Sequence, residues 1–165
     1  MKITHHHGHI HVFTFREGLL SALGHDLQIA VSAFEIEVDA EAGAVAFRCD
    51  VEALEVKGAV EGGPLKEKDR RQIEKNMRQD VLNARRHPSI AYSGRLAGGD
   101  RLEGELTLCG QKQPQQVRLA KQGDRLTGEL TLTPSRWGVR PYKALLGAIK
   151  LEDRVVVRFD LPDPR

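Results

Sequence analysis

Apolar and polar residues alternate along most of this chain. Val155, Val157, Phe159 and Leu161 alternate with Arg154, Arg158 and Asp160, with Val156 the exception. Leu102, Leu106 and Leu108 keep the same rhythm, as do Leu126, Leu130 and Leu132. Successive strand side chains point to opposite faces, so a period of two predicts strands with one apolar face. Eight such segments stand out, near 9–16, 27–38, 45–56, 89–96, 102–109, 115–121, 125–132 and 153–161. DRLEGELTL (100–108) and DRLTGELTL (124–132) are nearly the same sequence. A repeat array needs at least three copies, so these read as two similar strands after similar turns.

Two segments change phase midway. Leu27, Ile29 and Val31 give way to Phe34, Ile36 and Val38; Val45, Phe47, Cys49 and Val51 give way to Leu54 and Val56. One extra residue, a β-bulge, exchanges the faces of a strand and bends it. Two bent strands in succession, joined by a turn at 41–43, suit a closed or strongly curved sheet. The expected architecture is all-β: an eight-stranded antiparallel β-barrel. Two segments depart from the period of two. Residues 65–86 place Ile73, Met77, Val81 and Ala84 at helical spacing before Pro88, which predicts one inserted α-helix. After Pro141, Tyr142, Leu145, Leu146 and Ile149 predict a short helical segment near 140–149.

The chain has 165 residues, 40% hydrophobic and 29% charged. That fits one soluble domain, 1–165, with a core of its own. A net charge of +2 gives no reason to expect nucleic acid as a partner. No apolar run approaches the ~18 residues of a spanning helix. The opening MKITHHHGHIH has no apolar signal core, which predicts a cytoplasmic protein.

Five of the seven histidines fall in THHHGHIHVF (4–13). As a strand this stretch would put His5, His7, His9 and His11 on one face. Alternate strand residues lie ~6.6 Å apart, close enough for two imidazoles to share zinc, nickel or copper. His5, His7 and His9 are therefore the candidate metal ligands. No adjacent Cys, Asp or Glu completes the four-ligand shell of structural zinc, so residues 1–8 are read as a frayed polar extension with incidental metal affinity.

No catalytic constellation is visible. His25 and Asp26 are strand neighbours and point to opposite faces, and neither Ser21 nor Ser32 sits in a nucleophile elbow. Cys49 is in phase with Val45, Phe47 and Val51 and reads as a buried hydrophobe; Cys109 falls at a turn. The expectation is a binding protein and not an enzyme, with no required cofactor.

Four stretches resemble, in order, the YceI family of lipocalin-like, polyisoprenoid-binding proteins. They are RRQIEKNMRQDVLNARRHPSIAYSG (70–94), LEGELTLCGQKQPQQVRL (102–119), SRWG (135–138) and LEDRVVVRFDLP (151–162). GLLSALGHDLQI (18–29) is similar to a branch of that family with a G/A-H-D-L stretch. The resemblance implies a bacterial protein with a lipocalin-like barrel around an elongated apolar channel. Many members of the family are periplasmic. The channel would bind, sequester or carry an isoprenoid or other long amphiphile without chemistry on it. On this reading Phe13, Phe15, Leu27, Ile29, Phe34, Phe47, Val51, Ile90 and Tyr92 line the channel. Leu145 is a further ligand contact, and Trp137 and Tyr142 stand at the mouth, with Arg136, Arg140 and Lys143 as head-group partners. The assembly state is open and includes a homodimer. Two other readings stand beside this one: a metal-binding or stress-related protein using the histidine tract, and an interaction module whose barrel is filled.

Overall fold

A computed structural model describes residues 1–17, 25–61, 63–144 and 149–164. Among them the chain forms thirteen strands and one α-helix. The strands are β1 (Lys2–Thr4), β2 (His9–Glu17), β3 (Asp26–Val31), β4 (Glu35–Asp39), β5 (Ala44–Asp50) and β6 (Leu54–Glu61). After the helix come β7 (Ser89–Ala97), β8 (Arg101–Leu108), β9 (Gln111–Arg118), β10 (Ala120–Gln122), β11 (Arg125–Leu132), β12 (Lys143–Ala144) and β13 (Ile149–Pro162). All pairings are antiparallel. One sheet has the order β1-β4-β5-β7-β8-β9; the other has β10-β11-β13-β2-β3-β6, with β12 on β13.

The all-β class agrees with the alternation, but the strands number thirteen and not eight, and the pairings define two sheets and not one closed ring. The reason lies at the two phase changes. Neither is a one-residue bulge. Between β3 and β4 the chain leaves one sheet and joins the other; between β5 and β6, Val51–Ala53 make a 3-10 turn and the chain crosses back. The two crossings are tied together, because both the Ser32 amide and its Oγ donate to the Ala53 carbonyl at 2.8 and 3.0 Å. A third crossing, at Leu119, separates β9 from β10. Three expected strands are thus each split in two, and two short strands, β1 and β12, are added to the eight.

Turns are built from the residues that permit them. Asp39 Oδ1 accepts the Glu41 and Ala42 amides, and Gly43 takes the left-handed φ of +62° that closes the β4–β5 hairpin. Residues 1–8 are not frayed. Ile3 is buried, Lys2–Thr4 pair with Glu35–Glu37, and the N-terminal amine donates to the Val38 carbonyl. Residues 5–7 form a turn instead of continuing the strand, with the His7 amide donating to the Thr4 carbonyl. His5 and His7 therefore do not share a strand face with His9.

Helix α1 (Glu67–Asn76) continues into a π-helical turn at Met77–Val81, ending earlier than the expected residue 86. Asn83 adopts a φ of +47°, and its carbonyl accepts the Arg86 and His87 amides, which stops the helix before Pro88 is reached. The expected helical segment near 140–149 is absent from the described residues: Lys143 and Ala144 pair with Lys150 and Ile149 as a strand. A helix of two turns has little stability of its own, so pairing with an available strand prevails.

Strand β6 ends its sheet, and α1 covers it. Glu74 Oε1 accepts the Val56 amide at 3.1 Å, and Arg78 Nη2 donates to the Leu54 carbonyl at 2.8 Å. Arg70 and Arg78 both pair with Glu74, whose side chain is only 12% exposed. The helix thus supplies the partners that a further strand would have given. Glu74→Ala should cost about 1–3 kcal/mol, because it leaves the Val56 amide and two guanidinium groups short of an acceptor. Native-state hydrogen exchange should show Val56 losing protection while amides in β8 keep theirs.

Candidate functional site

The inner faces of the two sheets enclose a cavity of about 870 Å³. Its walls are the alternating residues of each strand. Val155, Val157, Phe159 and Leu161 come from β13, Leu126, Leu130 and Leu132 from β11, and Leu102, Leu106 and Leu108 from β8. Ile73, Met77 and Val81 close one side from the helix. The space is open because the bulky side chains are elsewhere. Of five phenylalanines only Phe47 and Phe159 face it, joined by Tyr92 and Tyr142.

The expected channel residues divide. Leu27, Ile29, Phe47, Ile90, Tyr92 and Tyr142 line the cavity. Phe13 and Phe15 lie on the opposite face of β2, since Ile10, Val12 and Thr14 are the inward set. Their rings carry cations instead: Arg158 stands 4.9 Å from the Phe13 centroid and Arg154 3.8 Å from that of Phe15. Phe34 and Val51 are buried in the core beside the sheet crossings, outside the cavity lining. Leu145 lies outside the described residues.

Of the residues placed at a mouth, Trp137 is buried to 1% exposure in the turn Pro134–Trp137, which ends at Gly138 with a φ of +74°. Its Nε1–H donates to the Leu106 carbonyl at 2.8 Å. Arg136 is exposed, 5.2 Å from the Trp137 ring, and Lys143 is exposed on β12; neither lines the cavity. Arg140 does line it, beside Tyr142, whose hydroxyl accepts from Asn76 Nδ2 at 3.0 Å.

Asp39 and Gln115 line the cavity from β4 and β9, and a second polar group stands where α1 meets the sheets. Asp69, Gln72 and Asn76 of the helix stand there with Arg140, Tyr142 and Glu152. Two further polar residues, His25 and Thr14, had no sequence signal for this role. Thr14 lies within an apolar alternation and His25 precedes β3. Both carry a buried atom, Thr14 Oγ1 and His25 Nδ1, with no hydrogen-bond partner among the described residues. A buried polar atom without a partner costs about 1–3 kcal/mol, so the two mark a place where the cavity wall is under-satisfied. Asp26, by contrast, turns away and accepts the Arg16 amide at 2.8 Å.

No group of three or more His, Cys, Asp or Glu side chains is placed to hold a metal ion among the described residues. His5 stacks on His6 at 4.0 Å, and His7 Nδ1 is engaged by the Thr4 amide at 3.0 Å. His9 and His11 remain paired on the outer face of β2, their centroids 5.8 Å apart. The thiols are unreactive in character. Burial, with Asp50 adding to it, pushes Cys49 up to about 12, and burial also raises Cys109, which donates to the Leu82 carbonyl at 3.4 Å. No helix among the described residues is long and apolar enough to cross a membrane.

The fold is similar to that of two solved structures. A polyisoprenoid binding domain from Saccharophagus degradans, implicated in plant cell wall breakdown, superposes with a TM-score of 0.63 at 9% identity, covering 97% of this chain and 95% of its own. BcnA of Burkholderia cenocepacia superposes with a TM-score of 0.60 at 18% identity, covering 93% of this chain and 94% of its own. No curated protein matches the chain by sequence. Residues 2–162, nearly the whole length, match the family described as the YceI-like domain. The chain belongs to the YceI-like domain family.

Proposed function

We infer that this protein binds a long apolar or amphipathic small molecule, an isoprenoid or another lipid, and sequesters or carries it without altering it. The cavity carries this reading: about 870 Å³, walled by aliphatic faces of both sheets. Ligand sites run to ~300–1,000 Å³, so this one accommodates a ligand at the large end of that range. Its chemistry suits hydrocarbon. Burying ten methylenes supplies about 8 kcal/mol at ~0.8 kcal/mol each, before the cost of ordering the chain.

On this reading the two sheets are the halves of one tube. Residues 26–39, 44–61 and 111–122 each run through both sheets and join them at the crossings. The Saccharophagus degradans relative, named for binding polyisoprenoid, supports an isoprenoid as the first ligand class to try. Among the described residues lining the cavity no nucleophile is paired with a base, which supports carriage over catalysis.

The test is a native mass spectrum of protein purified without detergent or metal resin, followed by organic extraction of the same sample. A discrete added mass that extracts as a lipid is the expected result. Protein of bare mass that also fails to take up added geranylgeraniol would refute the reading.

A further inference from the structure

We propose that the protein docks on anionic phospholipid bilayers with one end of the cavity facing them, through a basic stripe of α1, and exchanges its ligand there. This rests on the reading of the cavity as a lipid channel and adds the surface from which the ligand is taken.

Along α1, Lys68, Arg71, Gln72 and Lys75 recur at helical spacing and so share one face. All four are exposed. With Glu67 they form a shallow hollow on the surface, and it adjoins the cavity because Gln72 lines both. Arg140, exposed and also part of the cavity lining, belongs to the same opening, since Asn76 of α1 donates to the Tyr142 hydroxyl at 3.0 Å. Lys68, Lys75 and Arg140 have no ion pair among the described residues, and Arg71 pairs with Glu67 at 2.9 Å. The carboxylates of the adjoining strand ends are already engaged: Glu17 with Lys150, Asp26 and Glu61 with Arg16, and Glu152 with Arg154. Asp69 remains as the counter-charge in the lining.

The other end of the molecule has the opposite sign. Strand β13 runs from Ile149, beside Ala144, to Pro162, which pairs with Arg125 after the turn at 123–124. Leu96 donates its amide to Gly43, Leu119 to Asp100 and Asp163 to Asp124, which gathers the turns 39–43, 98–100 and 123–124 at that end. These turns carry exposed Asp39, Glu41, Asp100 and Asp124 and no Lys or Arg. Residues 66–78 and 140–143, by contrast, hold eight cations against three carboxylates, an excess of five in a chain whose net charge is +2. Such a charge distribution turns the α1 end toward a negative surface. A bilayer is the polyanion that uses this placement. The cations border the entrance to an apolar cavity, so a hydrocarbon ligand passing between bilayer and cavity there is kept from water.

Co-sedimentation with vesicles of phosphatidylcholine alone, and of phosphatidylcholine with phosphatidylglycerol, tests the docking without any ligand. The wild-type chain is expected to bind the anionic vesicles only and to come off at high salt. Each cation near such a surface strengthens binding about fivefold, so Lys68→Gln combined with Lys75→Gln should lose about 25-fold. Lys2→Gln combined with Arg101→Gln makes the same change in net charge at the far end and should lose less than threefold. Transfer of geranylgeraniol out of anionic vesicles should slow at least tenfold in the α1 variant, and transfer out of neutral vesicles should stay within twofold. No preference for anionic vesicles, or equal losses from the two variants, would overturn the docking and leave the channel standing. Docking without uptake of geranylgeraniol from either kind of vesicle would overturn the channel, and the proposal with it.

Discussion

Leu130→Trp should leave the protein folded and remove most of its capacity for a long-chain ligand. Leu130 lies midway along β11, opposite Val157 of β13, and both side chains face the cavity. An indole there would project into the cavity. Excluding about three methylenes of ligand at ~0.8 kcal/mol each loses about 2.4 kcal/mol, on the order of 50-fold in affinity. Unfolding in urea should give an unchanged or slightly higher midpoint, since filling a cavity commonly adds ~0.5–2 kcal/mol. A packed interior makes the opposite forecast. Overpacking would then destabilise the protein by ~1–3 kcal/mol, with no ligand affinity to lose. Measuring geranylgeraniol affinity and urea stability on the same variant therefore decides between a channel and a filled barrel.

Trp137→Ala should be among the most destabilising single substitutions, at about 3–5 kcal/mol. The indole is 1% exposed, and its N–H reaches the Leu106 carbonyl of β8. The turn that carries it follows β11, so this one side chain ties the second sheet to the first. Truncation opens a void and leaves the Leu106 carbonyl without that donor. Trp137→Phe keeps most of the ring and loses the hydrogen bond, and should cost about 0.5–1.5 kcal/mol. Urea denaturation of both variants checks the order. A loss below 1 kcal/mol for the alanine variant would mean that the turn is not a clamp between the sheets.

Trp137 also shows where sequence reading stops. Its position in SRWG, flanked by arginines, suggests an amphipathic mouth residue; the same string folds so that the ring turns inward while Arg136 and Arg140 stay exposed. Phe13 and Phe15 were legible and still misassigned. They alternate with Ile10, Val12 and Thr14, and apolarity on both faces of β2 hides which face is inner. Where one face is plainly polar, as in β8, β11 and β13, the alternation marks the apolar face, and Leu102, Leu106, Leu130, Val157 and Leu161 on it line the cavity although none of them was among the expected channel residues. His25 and Thr14 were illegible as site residues. Their polar atoms have no partners among the described residues, a product of the tertiary packing that no periodicity announces.

The sequence by itself determined the all-β class, the apolar faces of strands with one polar side, the helix before Pro88 and the family. These follow from local rules, since a period of two or of 3.6 is written residue by residue. The tertiary structure alone decided that the long strands cross between two sheets, that residues 143–144 pair as a strand, and that the interior is open. Whether facing side chains meet depends on the distance between sheets and on where the largest residues point. The same alternation lines a packed core or a channel equally well.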